Sequence, residues 1–158
     1  MIKIICVGKI KEKNLNNLIN DYIKRINMFN TVKVIEVSDE PNFKKENESL
    51  NEQVKNIEGL KVLKHINDDE FVYVLDLNGN DMDSFKFAKS IDEAMTYKSS
   101  KLVFVIGGSL GLSKDIIDRA NIRWKLSSVT FPHQIVRLLL VEQIYRAFSI
   151  INNLPYHK

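Results

Sequence analysis

Apolar residues along this chain follow two spacings in turn, and that alternation restricts the possible folds more than any single motif. Runs such as IKIICV at 2–7 and KLVFVIGG at 101–108 have the apolar, β-branched composition of buried strands. Between such runs, apolar residues recur every three or four positions, as on one face of a helix. The pattern predicts strands at 2–7, 31–37, 70–77, 101–108 and 124–131, and helices at 14–29, 50–63, 84–97 and 132–151.

Strands that alternate with helices are typical of an α/β fold, in which a mostly parallel sheet carries helices on both faces. A chain of 158 residues is long enough for one such domain and too short for two sizeable cores. Ligands of these folds lie beyond the carboxyl ends of the strands. Three predicted turns could form such a ligand site, at 75–79, 107–111 and 126–131. The first of them ends with the turn signal Asn78-Gly79.

The segment FVIGGSLGL at 104–112 joins a predicted strand to three glycines. Its spacing, G-G-x-x-G, is not the dinucleotide fingerprint, because Ile106 stands where the first glycine belongs, and the chain contains no P-loop sequence. Adjacent glycines permit positive φ and close approach of a ligand to the backbone. The spacing alone leaves two interpretations open, a tight structural turn and a ligand-binding loop. A short helix follows, with Ser113 as its predicted N-cap.

Charge and composition exclude several classes of protein. A net charge of +3 permits an RNA partner but is smaller than the clustered excess of a dedicated nucleic-acid clamp. No apolar run approaches the ~20 residues of a membrane span, and the N-terminus lacks the features of a signal peptide. Cys6, the single cysteine, lies in an apolar run and is expected to be buried. The single buried cysteine and the absence of a long apolar run lead us to expect a cytoplasmic protein that binds no membrane. Since the sequence has no cluster at metal-ligand spacing, we also expect no metal site.

The last predicted helix is apolar on nearly every side. A helix of that kind must be buried on all faces. In a chain of this size, the simplest arrangement packs one face on the sheet and another on a second subunit. Glu142 and Arg146 are four residues apart, in the order that favours a helical ion pair. The sequence leaves open whether Arg146 is solvated or faces RNA or a subunit interface.

Five motifs carry a resemblance to a known family, and they run almost from end to end. They are VGKIKEK after the first strand, Y…KR in the first helix, FVIGGSLGL, TFPHQIVRLLLVEQIYRAFSI, and the terminal PYHK. The chain resembles the SPOUT methyltransferases that modify N3 of pseudouridine-1915 in 23S ribosomal RNA. The resemblance implies a SPOUT fold, with a mostly parallel sheet, helices on both faces and a C-terminal trefoil knot, one of the rare exceptions to unknotted topology. It also implies S-adenosylmethionine as cofactor, a homodimer, and 23S rRNA of the assembled ribosome as partner.

Carried over by motif position, the resemblance also implies which residues contact the cofactor. They fall on the same three turns that the α/β pattern selects. The residues are Leu75, Gly107, Leu126, Ser127, Ser128, Val129, Thr130 and Phe131.

Methylation of an imide nitrogen requires a proton acceptor or stabilisation of the imidate that forms. Among the three histidines, His65 is expected at the surface, and for His133 a structural role competes with one beside the cofactor. The tail motif leads us to expect His157 as a base or base-binding residue. The full catalytic set predicted is His157, Tyr156 against the target base, and Arg146, with Lys158 also on phosphate or imidate oxygens.

Other functions are compatible with the same pattern. A SPOUT methyltransferase that acts on transfer RNA would share fold and cofactor. A non-catalytic ribosome-binding α/β module would associate with ribosomes without needing the cofactor. An α/β flavoprotein is disfavoured because no phosphate-cradling loop follows the first strand. Basic residues near the first helix either contact RNA or form a solvated surface; they are Lys9, Lys11, Lys13, Lys24 and Arg25.

Overall fold

The computed structural model describes residues 1–41 and 47–157, which form one parallel five-stranded sheet. Its strands are β1 (Ile2–Val7), β2 (Val32–Val37), β3 (Phe71–Asp81), β4 (Leu102–Ile106) and β5 (Ile122–Lys125). They are arranged in the order β2-β1-β4-β3-β5, so every strand ends at the same edge of the sheet. The central strand β4 is buried along its whole length, which explains its continuous run of apolar residues.

In the described chain, four helices connect the strands and a fifth follows β5; side chains cap the first four. The helices are α1 (Lys13–Ile26), α2 (Glu48–Leu63), α3 (Ser84–Tyr97), α4 (Lys114–Arg119) and α5 (His133–Ile151). Asn47 and Asp83 accept backbone N–H groups in the first turns of α2 and α3. Ser113 accepts the Ile116 N–H at 3.4 Å, which confirms it as the N-cap of α4. The last helix starts directly after Pro132, as predicted.

Helices cover both faces of the sheet, and each face has its own hydrophobic cluster. Residues of α1, α3 and α5 pack on one face, around Phe87, Phe104 and Trp124. Val62 of α2 and Ile116 of α4 pack on the other face. The predicted α/β class is therefore confirmed, and the burial of Cys6 in β1 is confirmed as well. The trefoil knot stays a prediction.

Two predicted strands differ from the observed ones. Asn78-Gly79 does not end β3: the strand bulges there, and Leu75 and Asn80 both pair with Trp124 of β5. The predicted strand end at residue 77 is therefore wrong, because β5 pairs with β3 again after the bulge. The fifth strand lies at Ile122–Lys125 rather than 124–131, because residues 126–131 leave the sheet and form a loop.

A buried ion pair ties the sheet to the turn before β3. Lys3 Nζ lies 2.7 Å from Glu70 Oε1 and also donates to the His65 carbonyl oxygen at 2.7 Å. The Asn67 N–H donates to the second Glu70 oxygen. These groups lie at the edge of the sheet where strands begin, opposite the strand ends. Across the described ranges, no helix is long and apolar enough to cross a membrane.

Candidate active site

A pocket of about 860 Å³ lies at the edge where the strands end. Three segments form it: the bulge of β3, the glycine loop after β4, defined here as residues 107–112, and the loop after β5, with the start of α5 closing one side. Seven of the eight predicted cofactor residues line it: Leu75, Gly107, Leu126, Ser127, Val129, Thr130 and Phe131. Ser128 is exposed and does not line the pocket.

The glycine loop is a tight turn that presents backbone to the pocket. The Gly111 N–H donates to the Gly108 carbonyl oxygen at 3.1 Å, and Gly111 has a φ of 92°, which favours glycine. A Cβ at Gly107 would lie 2.9 Å from Leu112 Cδ2 and 3.1 Å from the Gly111 carbonyl oxygen. The turn and the ligand-loop interpretations are therefore compatible: the loop is tight, and the tight form exposes its backbone.

Short-range side-chain contacts fix the other two segments. Asp76 accepts the Asn78 N–H at 3.0 Å inside the β3 bulge, and its second oxygen accepts Arg123 Nε at 2.8 Å from β5. In the loop after β5, Ser127 Oγ accepts the Val129 N–H at 3.1 Å. Such local bonds hold irregular backbone in one conformation.

The start of α5 is locked to the ends of β1 and β2. Arg137, only 3% exposed, donates to the Gly8 carbonyl oxygen at 2.9 Å and pairs with Glu36 of β2. Gly8 has a φ of 88°, and a Cβ there would lie 3.3 Å from His133 Nε2. His133 therefore packs against Gly8 at the mouth of the pocket, which it helps to line. The sequence had left its role open, and this packing places it beside the candidate cofactor site.

The C-terminal tail folds back on the far end of α5. The Tyr156 hydroxyl donates to Glu142 Oε1 at 3.0 Å, and the same oxygen accepts Arg146 Nε at 3.1 Å. Arg146 Nη1 lies 3.1 Å from His157 Nδ1, and its guanidinium lies over the Tyr156 ring. The three predicted catalytic residues therefore meet in one group around Glu142, which we call the tail cluster (Glu142, Arg146, Tyr156 and His157). Lys158 lies outside the described residues.

Residues from two other helices support the tail cluster. Tyr22 of α1 lies 3.3 Å from Tyr156, hydroxyl to hydroxyl, and Phe85 of α3 packs edge-on against His157 with ring centroids 4.6 Å apart. Burial, followed by the bonds to Tyr22 and Glu142, raises the pKa of Tyr156, so its hydroxyl stays protonated at neutral pH. The bond to Glu142 raises the pKa of Arg146. The cluster thus contains fixed hydrogen-bond donors.

Sequence reasoning missed some of these residues. Glu142 was predicted only as an ion-pair partner, although it accepts bonds from both Arg146 and Tyr156. Phe85 was not among the predicted site residues, yet it contacts the tail, and 61% of it is exposed. The aromatic residue of Y…KR, Tyr22, was the one local signal that pointed to this site. His65 is exposed, as expected, and lies near the opposite edge of the sheet.

Comparison with known proteins identifies the family. A family model described as "Predicted SPOUT methyltransferase" matches residues 1–157. The chain belongs to the SPOUT methyltransferases. Two similar proteins are named "Ribosomal RNA large subunit methyltransferase H", one from Enterococcus faecalis with 46% identity and one from Lactobacillus gasseri with 48% identity. Each alignment spans 157 residues and covers 99% of both chains.

A solved structure supports the fold of this SPOUT chain. The match, titled "Crystal structure of an hypothetical protein", has a TM-score of 0.51 at 13% identity and covers 95% of this chain and 68% of the other. At that identity the likeness concerns architecture alone. In the part of the chain that the structure describes, no group of three or more His, Cys, Asp or Glu residues is placed to hold a metal ion.

Proposed function

We propose that this SPOUT methyltransferase transfers a methyl group from S-adenosylmethionine to N3 of the pseudouridine at position 1915 of 23S rRNA. It would do so in the cytoplasm, as a homodimer of single-domain chains. The observation that carries the proposal is the pocket in which the three strand-end segments meet, in a chain of this family. The names of the similar proteins support the large-subunit rRNA as substrate.

The pocket suits the cofactor in size and in chemistry. Its volume of about 860 Å³ lies within the usual range for a cofactor site. Leu75, Leu126 and Val136 offer apolar contacts to a flat base, and the glycine loop offers backbone N–H and C=O groups. A Cβ at Gly107 would crowd Leu112 and the Gly111 carbonyl group, so the tight form of the loop requires glycine at that position. Bound there, the cofactor supplies an electrophilic sulfonium methyl group.

The tail cluster suits the acceptor half of the reaction. N3 of the target base is flanked by two carbonyl groups, and its lone pair becomes available only when its proton leaves. The negative charge then spreads onto the two carbonyl oxygens, which N–H donors stabilise. Arg146 and His157 carry such donors, and Tyr156 would pack against the base. The N3 proton would pass to solvent water, and S-adenosylmethionine would supply the methyl group to N3.

The distance between the two halves of the site supports an arrangement in which they come from different subunits. Along α5, Arg146 follows His133 by 13 residues, which corresponds to about 20 Å at 1.5 Å per residue. Methyl transfer requires donor and acceptor atoms in near contact. The tail cluster of one protomer therefore acts at the pocket of its partner, and a homodimer has two such composite sites. Ile135, which is 37% exposed on α5, is an apolar position available to that interface.

Modest charge is consistent with a substrate presented by the ribosome. The chain carries a net charge of +3, and a dimer would carry twice that. Binding to free RNA depends on many phosphate contacts and so on a larger basic surface. The assembled ribosome offers a pre-shaped surface, to which fewer phosphate contacts suffice.

The decisive experiment uses tritiated S-adenosylmethionine and ribosomes from cells that lack this gene. Label on a single large-subunit pseudouridine, located by RNA digestion, supports cofactor, reaction and substrate together. Label on transfer RNA instead would keep the chemistry and replace the substrate. Ribosome association without label and without cofactor binding would overturn the proposal in favour of a non-catalytic module.

A further inference from the structure

Glu58 is a carboxylate in an unexpected position. It lies on the inner side of α2, where its buried neighbours are Val54, Gly59 and Val62, and it is itself only 4% exposed. Burying a carboxyl group without full hydrogen bonding costs stability. An apolar residue would serve the packing of α2 better, so the carboxyl group has a role other than packing.

The contacts of Glu58 point to the glycine loop. Its Oε1 accepts the Glu40 N–H at 2.9 Å, whereas its Oε2 has no hydrogen-bond partner among the described residues. Oε2 lies against Gly108: a Cβ on that glycine would be only 2.6 Å away. Val7 Cγ1 lies on the same side, 3.1 Å from that Cβ position. The carboxyl group thus occupies the space behind the first turn of the loop.

The next residue of α2 holds the other end of the loop. A Cβ at Gly59 would lie 2.2 Å from Ser113 Oγ, so α2 and the N-cap of α4 are in close contact. Two consecutive residues, Glu58 and Gly59, therefore contact the loop at Gly108 and directly after it at Ser113. The segment between these contacts carries the Gly108–Gly111 turn that lines the pocket.

We propose that Glu58 is a positioning residue for the methyl-donor site. Its carboxyl group fixes the Gly108 end of the glycine loop, so that the loop backbone faces the donor. This inference rests on the proposed function, because it takes the pocket as the donor site. Desolvation is the main cause that raises the pKa of Glu58, and the hydrogen bond from the Glu40 N–H is the main cause that opposes that rise.

The test is a double-mutant cycle between Glu58 and Gly108, read as the Kd of S-adenosylhomocysteine and as kcat and KM for the donor. Gly108→Ala places its Cβ against the carboxyl group and shifts the loop, which weakens binding by about tenfold or more. Glu58→Ala removes the support and raises Kd and donor KM while kcat is largely kept. In the double variant, the new Cβ at position 108 no longer meets a carboxyl group. The combined loss of affinity is therefore smaller than the product of the two single losses.

Two further variants separate positioning from general stability. Glu58→Gln keeps the volume and the acceptor for the Glu40 N–H, so its Kd stays within about threefold of wild type. Gln53→Ala, an exposed change on the same helix, leaves Kd and donor KM unchanged. Two results would overturn the inference, even if the variants melt at a lower temperature. One is wild-type affinity in Glu58→Ala, and the other is a double variant whose loss of affinity equals the product of the two single losses. Failure of the wild-type protein to bind S-adenosylhomocysteine would instead overturn the proposed function.

Discussion

Nη1 of Arg146 lies 3.1 Å from Nδ1 of His157, and this contact determines what the histidine is able to do. A guanidinium group only donates hydrogen bonds, so Nδ1 must accept, and the proton of the neutral ring lies on Nε2. The ring therefore offers an N–H donor and no free basic nitrogen. Of the two roles predicted for His157, base and base-binding residue, this geometry favours the second.

The first prediction concerns that donor. His157→Ala removes an N–H that would stabilise the imidate, so kcat falls by about 10²–10³-fold while the Kd of S-adenosylhomocysteine is unchanged. His65→Ala, at an exposed histidine near the opposite edge of the sheet, is the control and keeps full activity. Calorimetry and a single-turnover methylation assay on ribosomes measure the two quantities. Loss of cofactor binding in His157→Ala would contradict the assigned role.

A mixed dimer tests whether the site is composite. One protomer carries Gly107→Val, which weakens cofactor binding at its pocket, and the other carries His157→Ala, which removes its tail donor. The assay uses a cofactor concentration well below the Kd of the Gly107→Val pocket. Two different affinity tags allow the heterodimer to be purified. If each tail acts at the partner's pocket, one of the two sites is intact, and activity is about half that of the wild-type dimer. An inactive heterodimer would mean that pocket and tail act within one chain.

The pocket itself is tested by Gly107→Val. The new side chain would crowd Leu112 and the Gly111 carbonyl group and would displace the loop from the form that lines the pocket. Overpacking of this kind costs about 1–3 kcal/mol, or roughly ten- to a hundredfold in the Kd of S-adenosylhomocysteine. Ser100→Val adds the same side chain before β4, at the opposite edge of the sheet, and is expected to bind normally. Unchanged affinity in Gly107→Val would place the cofactor elsewhere.

Titration of Glu58 gives a prediction about stability. Its pKa is raised in the folded protein, mainly by burial, so folding favours the protonated form. The stability linked to that proton is fully present below about pH 4.5 and is lost as the pH rises through the raised pKa. Glu58→Gln does not titrate, so its free energy of unfolding falls less over that range in urea titrations. Glu52→Gln, at an exposed residue of α2, should retain the wild-type slope.

Removing one partner of the buried Lys3–Glu70 ion pair should destabilise the protein far more than replacing both partners. Glu70→Ala leaves the ammonium group of Lys3 buried without its partner and costs about 3–5 kcal/mol in urea unfolding. Lys3→Met combined with Glu70→Gln removes both charges and keeps an acceptor for the Asn67 N–H, so it costs much less. Glu93→Ala, at an exposed ion pair with Lys89, should cost no more than about 1 kcal/mol. Equal losses in the single and double variants at positions 3 and 70 would contradict this account.

Most of the fold was predicted from local sequence signals, because the ends of helices and strands depend mainly on residues close together in the chain. β1 and α3 begin and end where apolar spacing placed them, and the Ser113 cap is where its side chain predicted it. The Asn78-Gly79 signal failed as a strand end because β5 pairs with β3 on both sides of the bulge. That pairing depends on a strand more than 40 residues later, which local spacing does not encode.

The α/β alternation and the three segments that line the pocket followed from residue types and spacings along the chain. The family followed from the resemblance of its motifs. Only the tertiary structure decided that the tail returns to Arg146, about 20 Å from the pocket along α5, and that Glu58 lies behind Gly108. Both arrangements join residues distant in sequence, and their geometry is set by the packing of helices on the two faces of the sheet.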